Sequence, residues 1–480
     1  IQRLPGGIFS IQFTALPGNE IEDIKKDLVS GQFKFTDQVA KFSDVAINEF
    51  NKAYANIARP YKIEIYSQQT NEFTLQNRIE NGKKACKGYE LFVAILVARN
   101  FDELNFLKTK AHDWNIQGKL KDVCMVVFDA TFENKNYDDF INLMANATCA
   151  QRHGLTSQQD THMGNAKKMV KDWASRMRVG NCTYYINGEE DTVSGQKLVT
   201  TINGVVAPFI FSSGPESLQL IQSKFSKTYW KKQAAKVAVD AVLQFNAKDE
   251  IIAKAGGQGK HVEYLLQDSV DNNLDWKSDI DTSHPLKLVC DFVDSVFKKT
   301  NKNQEFNLGE KLAPLSEAPY GLYQSYAGMS MVAFAMRKYA KQIFDMSGKP
   351  RDSRNLVDAV CEVFKAWEDG KKSNKLNFMF ESKESSDLCQ YFLHTFHLNS
   401  LPGYKDVSSL TDARWALLEY AKKNGYPLWA LKYTGCKEEI VTLVDNIVKI
   451  CDPNGLANQE MIGQTAKLFK KLDLDLNLLL

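Results

Sequence analysis

The chain has 480 residues, 44% hydrophobic and 25% charged, the composition of a globular protein rather than a disordered or fibrous one. Its 60 basic and 58 acidic residues leave a formal net charge of +2, so any pull on nucleic acid or anionic lipid has to come from local patches. The longest apolar run, residues 91–98, is too short for a bilayer-spanning helix, and nine widely spaced cysteines without a CxxC pair fit the reduced thiols of a cytoplasmic protein.

Taken in order, Phe35, Val39, Phe42, Val45, Ala46 and Phe50 recur at helical spacing and predict a helix over about 34–57, which Arg59-Pro60 ends. Lys62 to Tyr66 alternates like a strand, and Tyr89 to Ala98 reads as a buried one. A helix over Phe101 to Trp114, a strand over Lys121 to Phe128 and a helix over Tyr137 to Ala145 follow. That alternation predicts a small α/β unit with parallel pairing. A long helix from Thr161 to Arg178 leads to a strand, Cys182 to Glu189, which enters a turn at Asn187-Gly188. Pro208 and Ser212-Ser213-Gly214-Pro215 mark a domain boundary.

Beyond it the pattern is nearly all helical: Ser217 to Phe225, Tyr229 to Phe245, Pro285 to Lys298, Tyr323 to Phe344, Ser353 to Glu368, Ser385 to His397, Asp412 to Asn424 and Lys437 to Cys451. Ser353 and Asp412 stand as N-caps and Gly425 as a C′ residue. Lys375 to Phe380 is the one strand predicted in this half. The expected fold is mainly α with a small N-terminal α/β unit and a multi-domain helical C-terminal half. Its predicted parts are a helical lead-in over 1–60, the α/β domain over 61–212, a helical domain over 213–310, and a second over 311–480 with the short strand. Ile1 and Leu480 read as cut ends, which makes the chain a piece of a longer protein.

Candidate chemistry is thin. The stretch Gly256-Gly257-Gln258-Gly259-Lys260-His261 has His where a phosphate loop needs Ser or Thr, and a helix precedes it where a strand should, so it reads as an interhelical turn. Cys149, His153 and His162 do not match a zinc pattern, and His394 with His397 is a pair that closes no site; no metal site is expected. Glu381-Ser382-Lys383 and Glu133-Asn134-Lys135, with Asp129 nearby, follow strands and resemble the acid-and-lysine strings of metal-dependent nucleases, but such strings recur by chance in charged loops. No catalytic residue and no cofactor is assigned.

Basic segments with interleaved rings are the better functional feature. Lys224, Lys227, Lys231, Lys232 and Lys236 carry Tyr229 and Trp230 among them; Lys167, Lys168 and Lys171 form a second segment, and Arg337, Lys338 and Lys341 a third. Such residues neutralise phosphates and stack on bases, or they are the solvated face of a helix whose rings belong to the core.

The helix 165–178, the strand Cys182 to Asn187 followed by Gly188, and Pro319-Tyr320-Gly321-Leu322 before a long helix resemble, over residues 60–400, the region behind the ATPase domain of the large P-loop ATPases of BREX-type bacteriophage-resistance systems. That resemblance implies a non-catalytic scaffold or binding region of a prokaryotic defence ATPase whose motor lies elsewhere. Its partners would be other defence proteins, a second copy of itself, or double-stranded DNA, with no membrane. It also implies a helix-turn-helix-like module beginning over 319–344, with Lys375 to Phe380 as the wing strand of a winged helix. A stand-alone nucleic-acid-binding protein and a nuclease using an ExK string are the alternatives.

Overall fold

Leu91–Val97 is apolar at every position, and a strand of that kind has to be covered on both faces. In the computed structural model it lies inside a mixed five-stranded sheet. The model describes residues 2–3, 9–10, 16–29, 57, 59–67, 72–132, 134–218, 236–300, 305–340, 342–345, 353–402, 404, 407, 409–424, 437–452 and 458–472. The helix expected over 34–57 lies outside them, apart from Ile57, as do the helix expected over 217–225 beyond Leu218, the first part of the Tyr229 helix, and Gly425. The chain divides into two units, Ile1–Ile210 and Phe211–Leu480.

In the first unit, helix α1 (Gly18–Val29) precedes β1 (Tyr61–Ser67), α2 (Glu72–Lys84), β2 (Leu91–Val97), α3 (Phe101–Ile116), β3 (Val123–Phe128), α4 (Asn134–Arg152), α5 (Thr156–Val179), β4 (Asn181–Ile186) and β5 (Glu189–Ser194). The sheet runs β1-β2-β3-β4-β5; the first three strands are parallel and the last two antiparallel, as the alternation of strand and helix and the Asn187-Gly188 turn predict. Phe92, Ala94 and Leu96 of β2 and Val123, Met125 and Val127 of β3 share one face with Leu75 and Ile79 of α2 and Leu104, Leu107, Ala111 and Trp114 of α3. Alternate residues such as Val93, Ile95, Cys124 and Val126 are equally buried, so the opposite face is covered too. Helices α4 and α5 pack on each other, and Phe132 sits edge-on to Phe140 (5.6 Å) and to Trp173 (5.2 Å). Helix α1, which the sequence reading passes over, packs on α4 through Ile24 against Ala145 and Cys149, with Leu16, Ile21 and Leu28 around them.

One end of this sheet is held by amides. Asn187 and Gly188 take positive φ, 45° and 94°, the geometry of a tight hairpin turn that Asn-Gly favours. Asn115, buried at the end of α3, donates to Glu189 O (3.0 Å) and accepts from Gly188 N–H (2.8 Å). Asn187 donates to Asp122 (2.7 Å) and accepts its backbone N–H (2.8 Å).

The second unit is built from α6 (Lys236–Gln244), α7 (Lys248–Lys254), α8 (Gly259–Leu266), α9 (Pro285–Lys299), β6 (Phe306–Asn307), α10 (Leu308–Lys311), α11 (Tyr326–Met336), β7 (Ile343–Asp345), α12 (Ser353–Asp369), β8 (Asn377–Phe380), α13 (Lys383–Phe396), α14 (Leu410–Asn424), α15 (Glu438–Cys451) and α16 (Gln459–Leu472). All 11 residues of α11 are buried, and α6, α8, α9 and α12 pack around it. Helices α13 to α16 enclose a core of their own, with Leu388, Phe392, Leu417, Ile447 and Phe469 inside it.

Three sequence expectations are corrected here. The predicted helix from Tyr323 to Phe344 ends at Met336, because Arg337–Tyr339 tightens into a 3₁₀ turn and Ile343–Asp345 pairs as a strand. The strand at Asn377–Phe380 is not alone but is the centre of a three-stranded antiparallel sheet; its neighbours have two and three residues, too few to show a period of two. Asp412 is not a cap: α14 begins at Leu410, and the Ser409 hydroxyl accepts the Asp412 N–H at 3.2 Å.

Asn115→Ala removes the two bonds that its buried side chain makes to the hairpin backbone, at Glu189 O and Gly188 N–H. The expected loss is about 1–3 kcal/mol in urea unfolding, whereas His112→Ala, which breaks only an exposed pair with Glu190, leaves the midpoint nearly unchanged. Equal midpoints for the two variants would remove the role assigned to Asn115.

Candidate functional site

Within the second unit, α9, β6, α10, α11, β7 and β8 follow one another in the order of a winged helix. The sheet order is β6-β8-β7, with β8 in the middle. Helix α12 is inserted in the connection that forms the wing. Side-chain packing explains why these short strands hold. Phe380 of β8 stacks on Phe306 of β6 (5.1 Å) and meets Phe297 of α9 edge-on (5.1 Å), and Phe297 meets Tyr339 at 4.6 Å. Asn307 ties the sheet to its helices: its amide donates to Asn377 (2.7 Å) and to Ser373 O (2.9 Å), and its carbonyl oxygen caps α10 at Glu310 N–H (3.2 Å). Helix α11 starts where Ser325 accepts the Gly328 N–H at 3.1 Å, and a Cβ on Gly328 would stand 2.5 Å from Tyr323 O.

In a winged helix that reads DNA, the helix in the place of α11 presents its N-terminal residues to base edges. Here that helix, YAGMSMVAFAM, is apolar on every side and enclosed by this chain's own helices. Of the basic residues after it, Arg337 is turned inward, while Lys338 is exposed. Arg337 donates to the carbonyls of Val242 and Phe245 (2.7 Å to the latter) and to Asn246 Oδ1 (3.1 Å), which closes the C-terminal end of α6. Burial lowers its pKa from the usual guanidinium value. Lys338 pairs with Asp294, which also accepts the Tyr339 hydroxyl at 2.8 Å. Burial, and then the Asp294 carboxylate, push the Tyr339 phenol far above its ordinary range.

Of the other basic residues singled out, Lys236 pairs with Asp358 at 2.7 Å. Lys167, Lys168 and Lys171 are exposed on α5, away from its buried stripe of Ala166, Val170, Trp173, Ala174 and Met177. Lys224, Lys227, Tyr229, Trp230, Lys231, Lys232 and Lys341 lie outside the described residues.

The acid-and-lysine strings are drawn into helix starts or ion pairs. Glu381 accepts the Leu410 N–H at 2.8 Å, Ser382 accepts the Ser385 N–H at 3.2 Å, and Lys383 opens α13. Asp129 pairs with Lys108 at 2.7 Å, and Glu133 lies outside the described residues. Gly256 and its neighbours form a 3₁₀ turn between α7 and α8, Gly256 having φ 59°, as an interhelical turn predicts. His394 and His397 are exposed, while Phe392, Leu393 and Phe396 face the core. Cys149 in the last turn of α4 and His153 just past its end come together with Glu20 of α1; His162 is not part of that group. The spacing of the first two is visible in the sequence, but Glu20 lies too far along the chain for any local pattern to reveal it.

No protein-family model, no curated protein and no solved structure matches the chain.

Arg337→Ala leaves the carbonyls at the end of α6 unmatched in a half-buried place, and the expected loss is on the order of 1.5–3 kcal/mol in chemical unfolding. Lys171→Ala on the exposed face of α5 stays within about 0.5 kcal/mol of wild type. If Arg337→Ala unfolds like wild type, its bonds to α6 contribute nothing.

Proposed function

We propose that this chain is a non-catalytic scaffold and binding region of a large prokaryotic antiviral-defence ATPase. It works by contact with the other proteins of that system or with a second copy of itself, not by reading DNA through its winged-helix module. The observation that carries the choice between protein and DNA is the enclosure of Tyr326–Met336. A reading helix must lie in a groove, and this one is the centre of a helical core. Arg337 and Lys338, which a sequence scan assigns to phosphates, bind the carbonyl end of a neighbouring helix and an aspartate. The resemblance of the segment order to the region behind the motor of BREX-type ATPases supports the defence-ATPase part of the reading.

Duplex DNA binding, followed by fluorescence anisotropy across a salt series, separates the readings. Phosphate contacts weaken steeply with salt, by about 0.9 in the logarithmic slope per phosphate neutralised. The expected outcome is no salt-steep binding. Tight, salt-steep binding abolished in the triple variant Lys167→Glu, Lys168→Glu, Lys171→Glu would replace this reading with a nucleic-acid-binding one. Mg²⁺-dependent cleavage that disappears in Glu381→Ala would replace it with a nuclease. In the intact gene product, deleting residues 211–480 is expected to abolish complex formation with the neighbouring proteins of the locus while nucleotide hydrolysis persists.

A further inference from the structure

The seam between α1 and α4 gathers three donors of metal-ligating type. Glu20 stands in the first turn of α1, Cys149 in the last turn of α4, and His153 in the turn just past its end, with the His153 N–H donating to Cys149 O at 3.1 Å, so both lie toward the same neighbour. The carboxylate, thiol and imidazole donor atoms all lie within 4.8 Å of one another. Glu20 Oε2 is 2.8 Å from His153 Nε2, and its other oxygen is 3.3 Å from Arg152 Nη1. The Cys149 thiol is buried beside the same carboxylate, while His153 is exposed, so one side of the cluster is closed by protein and the other faces solvent.

We propose that Glu20, Cys149 and His153 form a binding site for Zn²⁺, with a water completing the tetrahedron on the exposed side. The donor set selects the ion. A thiolate beside an imidazole and a carboxylate suits zinc and is foreign to Mg²⁺ or Ca²⁺, which take oxygen ligands. Zinc holds sulfur at about 2.3 Å and nitrogen and oxygen at about 2.0–2.2 Å. Donors within 4.8 Å of one another are already near the spacing that a shared tetrahedral ion sets. Their charges also balance: on binding, the Cys149 thiol releases its proton to solvent, and one thiolate and one carboxylate neutralise the dication. Arg152, whose side chain is 55% exposed, gives up its contact with Glu20 and turns to water.

The site has a structural consequence within the first unit. Helix α1 is held to α4 by a small apolar contact of Ile24 with Ala145 and Cys149 and the half-buried residues around it. A metal bonded to both helices converts that contact into a cross-link between Glu20 and residues 129 or more positions later, and binding free energy becomes docking free energy for α1.

The test uses the whole chain, stripped of metal with a chelator and titrated with Zn²⁺ alone by calorimetry, and with Co²⁺ as a spectroscopic reporter. The expected result is one Zn²⁺ per chain, and with Co²⁺ a thiolate-to-metal charge-transfer band together with the strong visible bands of a tetrahedral site. Cys149→Ser is expected to remove the charge-transfer band, and Glu20→Gln and His153→Ala to weaken Zn²⁺ by at least the roughly 10–100-fold that loss of an outer-shell partner costs. The double variant His394→Ala, His397→Ala, on the second unit, leaves binding unchanged. Glu20→Gln changes an acid at the rim of the cluster and keeps the size of the side chain. Unchanged circular dichroism with weakened Zn²⁺ binding in that variant therefore supports the site even if Cys149→Ser fails to fold. Absence of stoichiometric Zn²⁺ binding, persistence of the charge-transfer band in Cys149→Ser, or wild-type affinity in Glu20→Gln would each overturn it.

Discussion

A helix that is apolar on every side has to be surrounded, and in the second unit that helix is Tyr326–Met336. The elements around it follow from the requirement. Helices α6, α8, α9 and α12 cover it, Phe297 of α9 meets Tyr339 just past its end and Phe380 of the short sheet, and Arg337 leaves the helix to bind the carbonyls of α6. The three strands pair in the order β6-β8-β7, and the helix that precedes β7 is core. A surface meant for bases cannot also be the centre of a hydrophobic cluster, because exposing it would return apolar area to water at about 25 cal/mol per Å².

The first unit rests on a different constraint. Strands β2 and β3 are apolar on both faces, so helices have to lie on both sides of the sheet, and consecutive parallel strands have to be joined by helical crossovers. The ends of such a sheet are polar backbone, and there Asn115, Asp122 and Asn187 match donors to acceptors around the hairpin. Helix α1 packs along α4 through Ile24, with Leu16, Ile21 and Leu28 around it. The cluster of Glu20, Cys149 and His153 lies on that seam, where a cross-link has most effect.

Charge is distributed the same way, by what lies next to each side chain. Arg337, Lys338 and Lys236 look alike in sequence to Lys167, Lys168 and Lys171. The first three are engaged with helix-end carbonyls, Asp294 and Asp358, while the lysines of α5 are exposed on the side of the helix opposite its buried stripe. A carboxylate such as Glu381 that receives a backbone N–H at a helix start has an anion's ordinary structural task.

The sequence by itself determined the elements with a strong local period or turn chemistry. These were the strand–helix alternation of the first unit, the Asn187-Gly188 hairpin, and the helical character of the second unit with helices at Pro285, Ser353, Ser385 and Lys437. Only the tertiary structure decided that Phe306–Asn307 and Ile343–Asp345 are strands, since two or three residues carry no period and pair only because Asn377–Phe380 lies between them. It alone decided that α11 is enclosed rather than exposed, because an apolar run predicts burial but not the identity of what covers it. It alone brought Glu20 to Cys149 and His153, because ligand geometry is a property of distance in space, and residues separated by more than a hundred positions have no local pattern in common.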